Sequence, residues 1–216
     1  NNKNTLKVLP ADLNEITEND LFGFLSLPED EIDGLVNLAA KIKEEHVGNT
    51  VYYRGLIEYS NICAKNCLYC GIRACNTNVV RYEMSEEEVV NAARFAAEHH
   101  YSNLVIQSGE RSDNEFRNRI ARLLSKIHSE TDNKLKITLS LGEHPEETYR
   151  LWKDCGAHRY LLRIETSSNV LYRKLHPQDG KHSYSKRIKA LETLRKLNYQ
   201  VGSGVMIGLP FQTTEH

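Results

Sequence analysis

Gly55-Leu-Ile-Glu-Tyr59-Ser-Asn61-Ile-Cys63-Ala-Lys-Asn-Cys67-Leu-Tyr-Cys70 is the stretch on which the reading of this chain turns. Residues 55–59 have the apolar and aromatic content of a short strand. Three cysteines at C-x3-C-x2-C spacing follow at once. A parallel α/β fold gathers its site residues in the loops after the carboxyl ends of its strands, so the cysteines fall where chemistry is done.

Downstream, further β-rich runs at 103–107, 135–141, 159–165 and 200–209 alternate with amphipathic helical patterns at about 85–100, 115–130, 145–155 and 185–197. The first of these helices opens with a capping box, Ser85 answered by Glu88. The third is expected to close on Gly156 in a left-handed conformation. Strands alternating with helices at this spacing imply parallel strands joined by helical crossovers. Upstream, apolar residues from Leu21 to Glu45 recur at helical spacing, with Pro28 at a first turn and Gly48 as a stop. The expected division is therefore a helical extension over 1–48 and a barrel domain over 49–216. The fold class is α/β, a (β/α) TIM-type barrel cut after about five strands; a flavodoxin-like sheet of five strands is the competing architecture. A complete eight-stranded barrel takes about 250 residues. The closing Gly208-Leu-Pro-Phe-Gln-Thr-Thr-Glu-His216 resembles a strand end leading into a further helix, so this chain is expected to be the N-terminal part of a longer protein.

Lys and Arg number 28 against 29 Asp and Glu, a net charge of −1, which lacks the basic excess that nucleic acid or an anionic membrane would attract. No apolar run approaches the roughly 20 residues of a membrane-spanning helix. The opening NNKNTLKVLPADLNE has no basic flank followed by an apolar stretch, and a cytoplasmic protein is expected. Five cysteines are too few for a disulfide framework, and four of them fall between positions 63 and 75.

Three thiolates in one loop can hold three corners of an iron–sulfur cube and leave the fourth iron open. A structural zinc site with Cys75 as fourth ligand is the alternative. Zinc sites commonly pair two knuckles across a longer gap, and this loop has no second knuckle. Cys155, at a helix end, reads as a small packing residue. Among the histidines, His144 just past the third strand reads as a loop or packing residue, and His99 and His100 as the close of a helix.

Side-chain alternation gives a second, independent reading. Thr138 and Ser140 share one face of their strand, with Ile137, Leu139 and Leu141 on the other. Arg159, Leu161, Arg163 and Glu165 share a face of the next strand. A polar inward face lines a pocket; a solvated edge pair or an internal salt bridge is the other reading of Arg163 and Glu165. Gly202 and Gly204 resemble a dinucleotide fingerprint only superficially, because the third glycine is out of register and no helix follows.

The cysteine loop with Tyr69 before its last cysteine resembles the radical S-adenosylmethionine (SAM) superfamily. Within it, Glu58-Tyr-Ser-Asn61, Cys67-Leu-Tyr-Cys-Gly-Ile-Arg73, Gln107-Ser-Gly-Glu110, Thr138-Leu-Ser-Leu-Gly-Glu143, Arg159-Tyr-Leu-Leu-Arg-Ile-Glu-Thr166 and Gly208-Leu-Pro210 closely resemble the FeFe-hydrogenase maturases of the HydE type. Methylornithine synthase and biotin synthase are more distant likenesses. The resemblance implies a 4Fe–4S cluster on Cys63, Cys67 and Cys70, with SAM on the open iron cleaved by one electron to a 5′-deoxyadenosyl radical. It implies a methionine-ammonium site at Ser108-Gly109-Glu110. Ser140 and Glu165 would hold the amino-acid or ribose groups, Arg187 the carboxylate (an exposed helix charge otherwise), and Ile207 the adenine. Thr138 and Arg163 would hold a small substrate with an anionic group, such as an iron–cysteine precursor. Other maturases and an electron donor are the implied partners.

Overall fold

The computed structural model describes residues 15–216; residues 1–14 of the expected extension lie outside them. Tyr53–Gln212, with His216, forms one compact unit, and the chain up to Tyr52, with Thr213–Glu215, forms another. The second holds two helices, α1 (Glu18–Leu25) and α2 (Glu29–Val47). Thr17 and Asp20 close a capping box at the start of α1, and Gly48, with a φ of 69°, ends α2.

The larger unit carries five parallel strands in the order β1 (Gly55–Ser60), β2 (Asn103–Ser108), β3 (Lys136–Ser140), β4 (Ala157–Leu161) and β5 (Gln200–Gly202). The crossovers hold α3 (Glu86–Glu98), α4 (Asn114–Glu130), α5 (Glu146–Asp154), α6 (Asn169–Leu175) and α7 (Tyr184–Lys196). Each strand pairs with the next in sequence, so every crossover steps the same way. That order is a segment of a barrel; a flavodoxin-like sheet would place β1 between its second and third strands.

Local chemistry starts the helices where the sequence predicts. Ser85 and Glu88 cap α3 reciprocally, and Asp113 accepts the Phe116 N–H at 2.8 Å to open α4. One face of the sheet is apolar and covered: Ile106, Ile137, Leu139 and Tyr160 are fully buried against Val89 and Ala93 of α3, Ile120 and Leu124 of α4, and Trp152 of α5. The other face carries Glu58, Gln107, Thr138, Ser140 and Arg159. A register shift at His158 lets Ala157 and Tyr160 both face the core, while Thr138 and Arg159 stay paired on the polar face.

Two strands end earlier than the pattern predicts. β4 stops at Leu161 rather than at 165, and β5 at Gly202 rather than at 209. Glu165 has a φ of 66°, a left-handed conformation that breaks the extended ladder, and only a single bridge to Val205 continues the pairing. Helix α6 is not legible in the sequence because seven residues are too few to display a helical period. Its Leu171 and Leu175 form a small second core with Leu209, against which Tyr69 packs.

Candidate functional site

A cavity opens at the carboxyl ends of β1 to β4. Cys63, Cys67, Cys70, Tyr69, Ser108, Gly109, Glu110, Ser140, Arg163, Glu165 and Arg187 all line it. Thr138 and Ile207 do not: Thr138 lies deeper on the polar face of β3, and Ile207 is 83% exposed.

The cysteine loop is held by contacts that leave its cysteines free of disulfides. Ala64 donates its N–H to the Glu110 carbonyl at 2.8 Å. The Cys63 sulfur accepts the N–H of Glu110 at 3.3 Å and of Lys65 at 3.4 Å. The Arg81 guanidinium gathers the carbonyls of Asn61, Ile72, Arg73 and Asn76, clamping both ends of the loop. At Gly109 a Cβ would collide with the Ile62 carbonyl and come within 2.7 Å of the Cys63 Cβ, so only glycine lets the two loops approach. Burial pushes the Cys67 thiol up to about 11. Cys75 is exposed, with its N–H on the Asn66 side chain at 2.8 Å, and Cys155 packs at the edge of the core. Among the described residues, no three His, Cys, Asp or Glu side chains converge as a single ion requires. The three cysteines line one cavity instead.

Beside the thiols lies a buried set of alternating charges. Lys65, between the first two cysteines, is 3.1 Å from Glu110 and 3.5 Å from Glu143. The other oxygen of Glu143 accepts from Arg187 Nε, while Arg187 Nη1 donates to the Arg163 carbonyl at 2.7 Å. Burial works against the Arg187 charge, but Glu143, Tyr172 and Glu110 together outweigh it and keep the guanidinium protonated. Burial raises the carboxyl of Glu110 against the pull of Lys65. Glu165 is likewise raised by burial, opposed by Arg163 and Arg187. Its Oε2 is buried without any hydrogen-bond partner, an unsatisfied acceptor on a residue that lines the cavity.

Lys65 and Glu143 escape the sequence reading although both stand in motifs it quotes. Glu143 follows β3 at the edge where Glu110 follows β2 and Glu165 follows β4, which was the available signal. The Arg163 guanidinium is exposed and makes no hydrogen bond among the described residues; with Glu165 it forms neither a salt bridge nor a solvated pair. His144 packs between Phe116 and Trp152, with Nε2 3.0 Å from the Leu141 carbonyl, and burial lowers it to about 4.

Residues 57–216 match the radical SAM superfamily, and the chain belongs to it. It is 45% identical over 184 residues to the [FeFe] hydrogenase maturase subunit HydE of Thermotoga maritima, covering 85% of this chain and 51% of that protein. It is 29% identical to the biotin synthase of Geobacillus kaustophilus, covering 90% of this chain and 58% of the relative. The solved methylornithine synthase superposes with a TM-score of 0.83 at 24% identity, over 98% of this chain and 60% of that one, and so shares the fold. The chain spans about half the length of the curated relatives it matches. Among the described residues no helix is long and apolar enough to cross a membrane.

Membership implies a 4Fe–4S cluster and SAM, and the residues present suit both. Corners of a cube are wider apart than the ligands of one ion, which matches three cysteines that line one cavity without converging on a point. The orphaned Glu165 oxygen, the Glu110 carboxylate and the Arg187 guanidinium suit a zwitterionic ligand.

Proposed function

We propose that this chain is the cluster- and SAM-binding part of a radical SAM enzyme of the FeFe-hydrogenase maturase type, with a barrel domain over 49–216 after a helical extension over 1–48. The observation that carries the reading is one cavity shared by three unpaired thiols and a set of buried opposite charges. Cys63, Cys67 and Cys70 would hold the cluster. When bound, it supplies the electron for reductive cleavage of SAM. The chain's own residues bind and orient: Glu110 takes the ammonium, Arg187 the carboxylate, and Ser140 and Glu165 the remaining polar groups. Tyr69 packs on the second core beside the cysteines. Glu143 fixes the direction of Arg187 through its Nε.

Arg163 offers a free two-pronged donor at the cavity wall, which fits a small substrate with a carboxylate, such as an iron-bound cysteine. Thr138 lies further along the same face. Other hydrogenase maturases and an electron donor belong to this reading as partners, and the cytoplasm as its compartment. The greater identity to the maturase, 45% against 29%, favours it over a biotin synthase-like activity. The test compares Arg163→Lys with the parent, both loaded anaerobically. Lysine keeps the charge and loses the fork, so substrate-dependent turnover falls about tenfold or more while uncoupled SAM cleavage persists. Weakened SAM binding, with uncoupled SAM cleavage falling in step with substrate turnover, would move Arg163 to the cofactor site.

A further inference from the structure

The connection between α6 and α7, residues 176–183, makes contacts that neither the cysteine motif nor the SAM residues require. Just before it, Leu68 donates its N–H to the carbonyl of Leu175, the last residue of α6, at 3.0 Å. Tyr69 Oη lies 3.2 Å from His176 Nε2. Lys65 Nζ donates to the Lys181 carbonyl. Asn66 donates its N–H to His182 Nε2 at 3.0 Å. Together with Ala64 on the Glu110 carbonyl, these contacts engage every residue between Cys63 and Cys70 except Cys67 itself.

Both histidines are fixed in direction. His176 is buried, stacks on Tyr172 at 3.9 Å and has Nδ1 2.8 Å from the Tyr172 carbonyl. The His182 side chain is 1% exposed, and its Nδ1 lies 2.5 Å from Asp179 Oδ1. Because Nε2 accepts from Asn66, the ring proton sits on Nδ1 and points at Asp179, which selects that tautomer. Asp179 is itself held by the Lys181 N–H at 3.0 Å.

We propose that residues 176–183 form a clasp that fixes the spacing of Cys63, Cys67 and Cys70, with His182, oriented by Asp179, as its positioning residue. The proposal rests on the reading that these cysteines hold the cluster. Asn66 is the last residue of the x3 spacer, directly before Cys67, so anchoring its amide fixes where Cys67 stands relative to Cys63. With the clasp cut, the thiols lose their common geometry and the metal leaves more easily, while the sheet and its helical cover are untouched.

The experiment compares the parent, His182→Leu, His182→Gln and Asp179→Ala after anaerobic reconstitution with iron and sulfide. It reads iron per chain, the rate at which a ferrous chelator strips that iron, and the melting temperature without metal. One lost hydrogen bond corresponds to roughly a five- to tenfold change, so His182→Leu should release iron about that much faster. His182→Gln, whose amide oxygen can accept from Asn66, should restore most of the parent rate. Asp179→Ala, altered at a half-exposed side chain, should fall between them with an unchanged melting temperature, and it decides the matter should His182→Leu fail to fold. Parent-like release rates in all variants overturn the clasp and leave the cluster reading standing. A parent that takes up no iron overturns both.

Discussion

Two residue-level features decide whether the cavity does what its geometry supports. The first is which thiols serve as ligands. Cys63, Cys67 and Cys70 line the cavity, whereas Cys75 is exposed outside it. Serine at any of the first three should abolish iron uptake, and Cys75→Ser should leave iron per chain at the parent value. Iron lost on Cys75→Ser would return the four-thiolate zinc-like arrangement to consideration. The second is Glu143, which joins Lys65 to Arg187. Glu143→Gln removes the charge and keeps the shape, so Arg187 loses its director. SAM affinity measured by calorimetry should fall about tenfold, in line with a charged hydrogen bond of about 1.5 kcal/mol, with iron content intact. Equal or tighter binding would show that Glu143 merely competes with the ligand for Arg187.

Among the elements, the strand-to-helix turns were the most legible and the strand ends the least. Capping residues announce α3 through local chemistry, and alternation in 136–141 separates buried Ile137 and Leu139 from Thr138 and Ser140. Beyond β4, Glu165 adopts a left-handed backbone, with its N–H on the Gly204 carbonyl at 3.0 Å, and no local signal marks that. The turn from β3 into α5 carries a testable cost. His144 is kept neutral by burial, at about 4 against an ordinary 6.5. Above pH 6.5 neither state is protonated, and its neutral packing contributes fully. As pH falls from 6.5 towards 4, the unfolded chain takes up a proton that the folded one refuses, and stability drops by about 1.4 kcal/mol per pH unit from this group. Urea unfolding at pH 7 and pH 5 should show that loss in the parent. His144→Phe, which retains the ring stacking, should show a smaller drop; an identical drop would place the acid sensitivity elsewhere.

For the whole molecule, the site is an assembly of contiguous words from separate strands, and this explains what could be read from sequence. The cysteine loop, the Ser108-Gly109-Glu110 turn and Glu165 each lie within a few residues of a strand end, so a barrel reading brings them together. Contacts between remote segments stay hidden: Lys65 and Asn66 meet Lys181 and His182 across 116 positions, and no motif records it. Ile207 shows the converse, since its motif likeness points to adenine while its side chain faces solvent. On the proposed reading, this fold organises a cube of iron and sulfide with one iron open to SAM. Anaerobic reconstitution, followed by metal analysis and electron paramagnetic resonance of the reduced protein, tests it most directly. The expected result is about four irons and four sulfides per chain and a signal that changes shape when SAM is added. A chain that retains a single zinc, or a cluster whose signal ignores SAM, would contradict it.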